Sequence, residues 1–135
     1  MEKRVLLHNS IKTPDGTILV SKHVHDYVSH KDKVTNTVFA VDGGDEYQRW
    51  LIGGKYEDLS LYSDDQHEKL REVVERGRRG IHGDEELKYE VLKDISDGWL
   101  QAIIIYEEKL RPDNKYLPVY RTEEEYRKTN NINVK

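Results

Sequence analysis

The residues best placed to do chemistry lie between Ser21 and Arg49 and between Arg76 and Gly83. In the first stretch His23-Val-His25 runs into Asp26 and Tyr27, and Asp42-Gly43-Gly44-Asp45 runs into Tyr47, Arg49 and Trp50. On a strand, side chains repeat every two residues, so His23 and His25 would share one face. With Asp26 or Asp42 nearby they could ligate a metal; otherwise they are two partly exposed hydrogen-bonding histidines. Gly43-Gly44 could hold an anion on free backbone N–H groups or simply permit a tight exit from a sheet. The flanking Asp42 and Asp45 repel phosphate and favour the second reading. In the other stretch, Arg76-Gly-Arg78-Arg79-Gly80 is the strongest cation cluster of the chain. Arginine forks suit phosphate, and cations are also favoured at a helix C-terminus, so both readings stay open.

Aromatic chemistry is carried by tyrosine, with nine tyrosines against a single phenylalanine. Tyr27, Tyr47, Trp50, Tyr106 and Tyr116 offer flat faces with polar tips, suited to stacking bases, to subunit contacts or to an ordinary core. Neither a dinucleotide fingerprint nor a phosphate-loop motif is present. The serines and histidines form no nucleophile–base motif, and the acidic residues are scattered, so the sequence indicates a binding protein and no enzyme. The alternative on the enzyme side is a metal-dependent hydrolase using His23, His25 and Asp26.

These groups need elements to hold them. Pro14-Asp15-Gly16 is a turn signal between Ile11–Thr13 and Thr17–Val20, after an opening strand at Arg4–His8. A second hairpin is predicted through Val24–Ser29 and Thr37–Val41, giving four or five strands before residue 45. Asp45 could cap a short helix carrying Tyr47, Arg49 and Trp50. Asp58–Tyr62 reads as a short strand. Ser63 and Gln66 make a capping box for a helix over Asp64–Arg76, and Leu87–Leu92 alternates as a strand. Asp94 or Ser96 caps a helix reaching about Leu110, apolar nearly all round from Trp99 to Tyr106 and therefore buried on more than one side or used at a subunit contact. Thr122 and Glu125 predict a short, charged last helix. The pattern is an α+β domain over residues 1–128: antiparallel hairpins, two main helices, a short C-terminal helix, then a frayed tail at 129–135.

Composition narrows the functions. Charged and apolar residues each make up 36% of the 135 residues, so the core must be small. A net charge of -4 argues against general nucleic-acid binding, which needs a basic field. With no cysteine there is no disulfide and no thiolate metal site. No apolar run approaches the ~20 residues of a membrane span, and the amino terminus lacks a signal-peptide core, so a soluble cytoplasmic protein is expected.

The pattern His8-Asn9, Ser21-Lys22-His23-Val24-His25-Asp26-Tyr27 and Val41-Asp42-Gly43-Gly44-Asp45-Glu46-Tyr47-Gln48-Arg49 resembles a family of small tailed-phage proteins. Many of its members look like zinc ribbons, with CxxCG where this chain has Lys12-Thr-Pro-Asp-Gly16 and CxCG near Asp32–Asn36. All four cysteines are replaced here, so the resemblance implies a degenerate, zinc-free ribbon in which the two knuckles remain as hairpin turns. A second arginine usual after Arg49 is Trp50. Proteins of this kind are similar to phage immune-evasion sponges that sequester the cyclic nucleotides of bacterial defence systems such as CBASS or Thoeris. The resemblance then implies binding without cleavage of a cyclic dinucleotide such as cyclic GMP–AMP, in the host cytoplasm, by a homo-oligomer (dimer or tetramer) with no cofactor and no metal. Arg49, Arg78 and Arg79 would contact phosphate, with Lys22 and His25 in support. Tyr27, Tyr47 and Trp50 would stack on bases, and Asp26 and Asp42 would read base or ribose edges. The rival binding role is an adaptor for a host protein.

Overall fold

The computed structural model describes residues 4–79 and 82–135. Antiparallel sheets come first and three helices follow, an α+β arrangement. The chain divides into two compact units, Met1–Asp64 and Asp65–Lys135, where the composition had suggested a single domain. No Pro/Gly/Ser-rich linker marks the junction, which is why it was not visible in the sequence.

In the first unit, β1 (Leu6–Lys12) merges the two opening strands that the sequence separated. It pairs with β2 (Ile18–Ser21) across the Pro14-Asp15-Gly16 turn, where Gly16 takes a φ of 91°. The short strands β6 (Glu57–Asp58) and β7 (Leu61–Tyr62) complete that sheet on the other edge of β1. A second sheet has the order β3 (Val28–Lys31), β4 (Val38–Asp42), β5 (Arg49–Leu51). Alternating residues Ile11, Leu19, Phe39 and Val41 meet as a fully buried cluster, with Val28, Trp50 and Ile52 packed against it.

Two expectations fail here. Residues 22–27 form a turn and not a strand, closed by Asp26 N–H donating to His23 O at 2.9 Å and Lys22 N–H donating to Asp26 Oδ2 at 2.9 Å. Aspartate's short carboxylate competes for its own backbone and stops the strand before it starts. Nor does Asp45 cap a helix. One turn forms, with Glu46 and Tyr47 N–H groups on Gly43 O, and the chain re-enters the sheet so that Asp42 lies opposite Arg49.

The first unit is also joined through its turns. Asp32 is fully buried and accepts the Asp15 N–H at 2.8 Å on one oxygen, and the Thr35 N–H and hydroxyl, both at 2.7 Å, on the other. Asp15 in turn accepts from the Thr13 hydroxyl, the Thr17 N–H, the Lys33 N–H and His30 Nε2. The turn at 13–16 and the turn at 32–36 are thus cross-linked by two carboxylates.

The second unit packs three helices with one hairpin. Helix α1 (His67–Val73) is shorter than the predicted Asp64–Arg76. The capping box does not form: the Ser63 hydroxyl oxygen accepts the Val5 N–H instead, and Gln66 precedes the helix without a side-chain cap. Past Val73 the backbone is extended, and β8 (Glu75–Arg78) pairs with β9 (Lys88–Val91). The adjacent β-branched valines favour that change of state. A 3-10 turn at Leu92–Asp94 leads to α2 (Asp97–Leu110), capped by Ser96, whose hydroxyl oxygen accepts the Trp99 N–H at 3.2 Å. Helix α3 (Leu117–Thr129) starts well before Thr122, with Pro118 in its first turn. Thr122 sits inside the helix and donates to Pro118 O. The tail is not frayed: Val134 O accepts the Asp97 N–H at 2.8 Å, and its N–H donates to the Asp97 carboxylate.

Replacing Asp32 by alanine strands the Asp15 and Thr35 N–H groups in a buried place. The expected outcome is a melting temperature for the first unit lower by about 10 °C or more. Trp50 fluorescence in a Trp99→Phe background reads this directly, since these are the chain's two tryptophans.

Candidate functional site

The structure gathers eight of the ten predicted residues at one end of the β3-β4-β5 sheet. Lys22, His25, Asp26 and Tyr27 come from the turn entering β3, and Asp42, Tyr47, Arg49 and Trp50 from the end of β4 and start of β5. The two turns are tied by Ser21, whose hydroxyl donates to Asp26 O at 2.6 Å and accepts the Gly44 N–H at 2.8 Å. Both glycines are demanded by this approach. Gly43 and Gly44 have positive φ, and a Cβ would run into the Tyr47 carbonyl at the first and the His23 backbone at the second. The Gly44 N–H is therefore spent on Ser21, and the anion-cradle reading of this pair does not hold.

Within that group the roles divide. Lys22, His25, Tyr27, Tyr47 and Arg49 are exposed. Trp50 faces inward, its Nε1–H donating to Asn9 Oδ1 at 2.8 Å and its ring edge-on to Tyr56. Asn9 donates to the Asp42 and Tyr47 carbonyls, so the indole is a structural anchor and a poor stacking platform. Because residues 22–27 are a turn, His23 and His25 do not share a strand face, which removes the geometric basis of the metal and hydrolase readings built on them.

The group of three metal-capable residues that the described chain does contain was not foreseen: Asp15, His30 and Asp32, with ligand atoms within 4.8 Å of one another. Its carboxylate oxygens are already taken by N–H and O–H donors from the two turns. The Thr13 hydroxyl first, then His30 and the Lys33 N–H, hold the Asp15 carboxyl well below the usual carboxylate range. A cation could be held there only by giving up those bonds. The turn signal around Asp15 was legible, but its partner 17 residues further along the chain was not.

Arg78 and Arg79 lie in the second unit. In β8 the period of two puts Arg76 and Arg78 on one face, both turned to α2. Arg76 donates to Glu107 at 3.0 Å, while Arg78 lies 5.1 Å over the Trp99 ring and pairs with Glu90 at 2.9 Å. Arg79 follows, exposed. Together with Trp99 they line an open cleft of about 590 Å³, to whose lining Glu90, Asp94 and Lys135 also contribute. Gly80 and Ile81 of the glycine-spaced loop lie outside the described residues. The helix-terminus explanation of this arginine cluster falls, because the helix ends before it.

Compared with family models, curated proteins and solved structures, the chain matches none. Its site is read from geometry alone. No helix among the described residues is long and apolar enough to cross a membrane.

Sequence reasoning missed the strongest electrostatic feature of the second unit, two fully buried glutamates. Glu107 on α2 accepts from Arg76, Arg111 and Asn114. Glu123 on α3 accepts from His67, from both Arg71 donors and from Arg127 at 2.7 Å; Arg127 also reaches Asp97 and the Leu92 carbonyl. The i, i+4 spacings Glu107–Arg111 and Glu123–Arg127 were the available signal, but burial is decided by tertiary packing.

Burial alone would push the Glu123 carboxyl up, yet the hydrogen bonds from His67, Arg71 and Arg127 win and hold it at about 2, against an ordinary 4.5. The unfolded chain thus takes up the proton near 4.5 and the folded chain only near 2. Its contribution to stability is complete above the ordinary value and is lost as pH falls through this window. Circular dichroism at 222 nm, which reads the helices of the second unit, is expected to show acid unfolding over that range. Glu123→Gln should cost about 3 kcal/mol at neutral pH, by leaving buried cations without their anion, and should flatten the acid limb.

Proposed function

We propose that the protein binds and sequesters a small phosphate-bearing nucleotide without cleaving it, and that the cyclic dinucleotide class implied by the phage-protein resemblance is its ligand. The observation that supports this reading is the Arg78–Arg79–Trp99 cleft. It sets two guanidinium groups beside an indole in a concavity of the size that small ligands occupy. Arginine forks match phosphate oxygens, and the indole supplies a face for a base. Trp99 takes the stacking role that the sequence reading assigned to Trp50.

Magnitudes bound the affinity. Charge-assisted bonds contribute ~1.5–3 kcal/mol each and a stacked base ~1–3 kcal/mol. Two arginines and one indole thus give roughly 4–9 kcal/mol before association costs, against ~12 kcal/mol for nanomolar retention. A sponge of nanomolar affinity needs further groups. The exposed Arg49, Tyr27 and Tyr47 at the sheet end of the first unit are the reserve, serving a second ligand or a second copy of the chain.

Isothermal titration with cyclic di- and trinucleotides and cyclic ADP-ribose isomers tests the reading. Arg79→Ala is expected to weaken binding at least tenfold while the melting temperature stays within a degree or two, since Arg79 is exposed. Intact ligand should be recovered after heat denaturation. Absence of binding across the panel, together with capture of one host protein, would favour the adaptor role instead.

A further inference from the structure

The outward face of α2 is apolar although the helix has already buried Leu100, Ile103, Ile104 and Glu107 on its inner side. Ile105 and Leu110 are each 58% exposed, Tyr106 is 48% exposed, and Ala102 is exposed with them. At 3.6 residues per turn the line pointing furthest from the core is Gly98, Ala102, Ile105, Lys109. A Cβ at Gly98 would meet open space.

We infer that this face binds the same face of a second copy, with the two α2 helices antiparallel. Two properties of the line are self-complementary only in that orientation. The first is size: antiparallel pairing sets the Ile105 side chain of each copy over the partner's Ala102, and the Lys109 stem over the partner's Gly98. Large residues then enter hollows left by small ones, as close helix packing requires. The second is charge. Asp94 just before α2 and Lys109 in its last turn are exposed, while Asp97 and Arg111 are already paired within the chain, with Arg127 and with the buried Glu107. Antiparallel pairing places each acidic end against the partner's basic end twice over and aligns the helix dipoles favourably, whereas parallel pairing sets like ends together. The cation–π contact of Arg111 with Tyr106 at 5.6 Å keeps the tyrosine ring along this face. The inference stands apart from the nucleotide reading, since it uses no residue assigned to phosphate or base.

Sedimentation equilibrium of the full chain at micromolar concentration is expected to show a dimer, and Ile105→Glu to raise its dissociation constant at least tenfold with an unchanged circular dichroism spectrum. Because the chain has no cysteine, engineered thiols report geometry cleanly. Gly98→Cys mixed with Lys109→Cys should form a disulfide-linked heterodimer under mild oxidation, and neither variant alone should form a homodimer in comparable yield. A monomeric parent, an Ile105→Glu variant that dimerises like the parent, or Gly98→Cys linking chiefly to itself would each overturn the inference.

Discussion

The second unit depends on the enclosure of two carboxylates. Glu107 and Glu123 have no solvent contact, and each is surrounded by donors drawn from separate elements. Glu123 links α3 to α1 through His67 and Arg71, and Arg127, held by the same carboxylate, carries the link to the Leu92 carbonyl and the start of α2. Glu107 links α2 to β8 through Arg76 and to the connection after α2 through Asn114. Helices of this length are marginal by themselves. Their mutual placement here is set by charge as well as by the apolar contacts of Leu70, Leu100 and Leu117.

The first unit solves the same problem with shorter acids. Asp15 and Asp32 bring two turns together through backbone N–H groups. A carboxylate accepting several such bonds joins loops that a small apolar cluster cannot hold. Buried ionic groups of this kind are weak evidence of extra stability, because desolvation offsets much of the attraction. Their effect is directional. Each acceptor oxygen fits one arrangement of donors, so a chain with a small core can still settle on a single packing.

Much of the layout was legible in the sequence for local reasons. The Pro14-Asp15-Gly16 turn, the Val38–Asp42 strand, the Ser96 cap and the stop at Pro112 each rest on a few adjacent residues. The failures share a cause as well. Ser63 with Gln66 and Thr122 with Glu125 have the spacing of capping boxes, but Ser63 is engaged by Val5 and Thr122 lies beyond the true helix start. His23-Val-His25 looked like strand because the Asp26 carboxylate's competition for the backbone is a choice that spacing does not reveal. The eight clustered candidate residues converge because the sheet order places the entrance of β3 beside the exit of β4. That topology follows from pairing across the unforeseen β5.

The buried glutamates also decide which cations remain for a ligand. Arg71, Arg76 and Arg127 are each committed to a carboxylate with no more than 21% of the side chain exposed, and withdrawing one would leave that acid uncompensated. Arg78, itself half-exposed, is bound to the partly buried Glu90, a pair at the surface whose exchange for phosphate costs little. Arg79 is exposed beyond the strand end. An arginine-rich sequence in an acidic protein thus resolves into structural and available members by the accessibility of their partners. In the β8 cluster the division falls between Arg76 and Arg78, two residues on the same strand face. The step of about 6.8 Å between them carries the chain from the glutamate cage to the indole of Trp99. It is this step, set by β geometry where a helix had been expected, that puts the exposed Arg78 and Arg79 beside an aromatic ring.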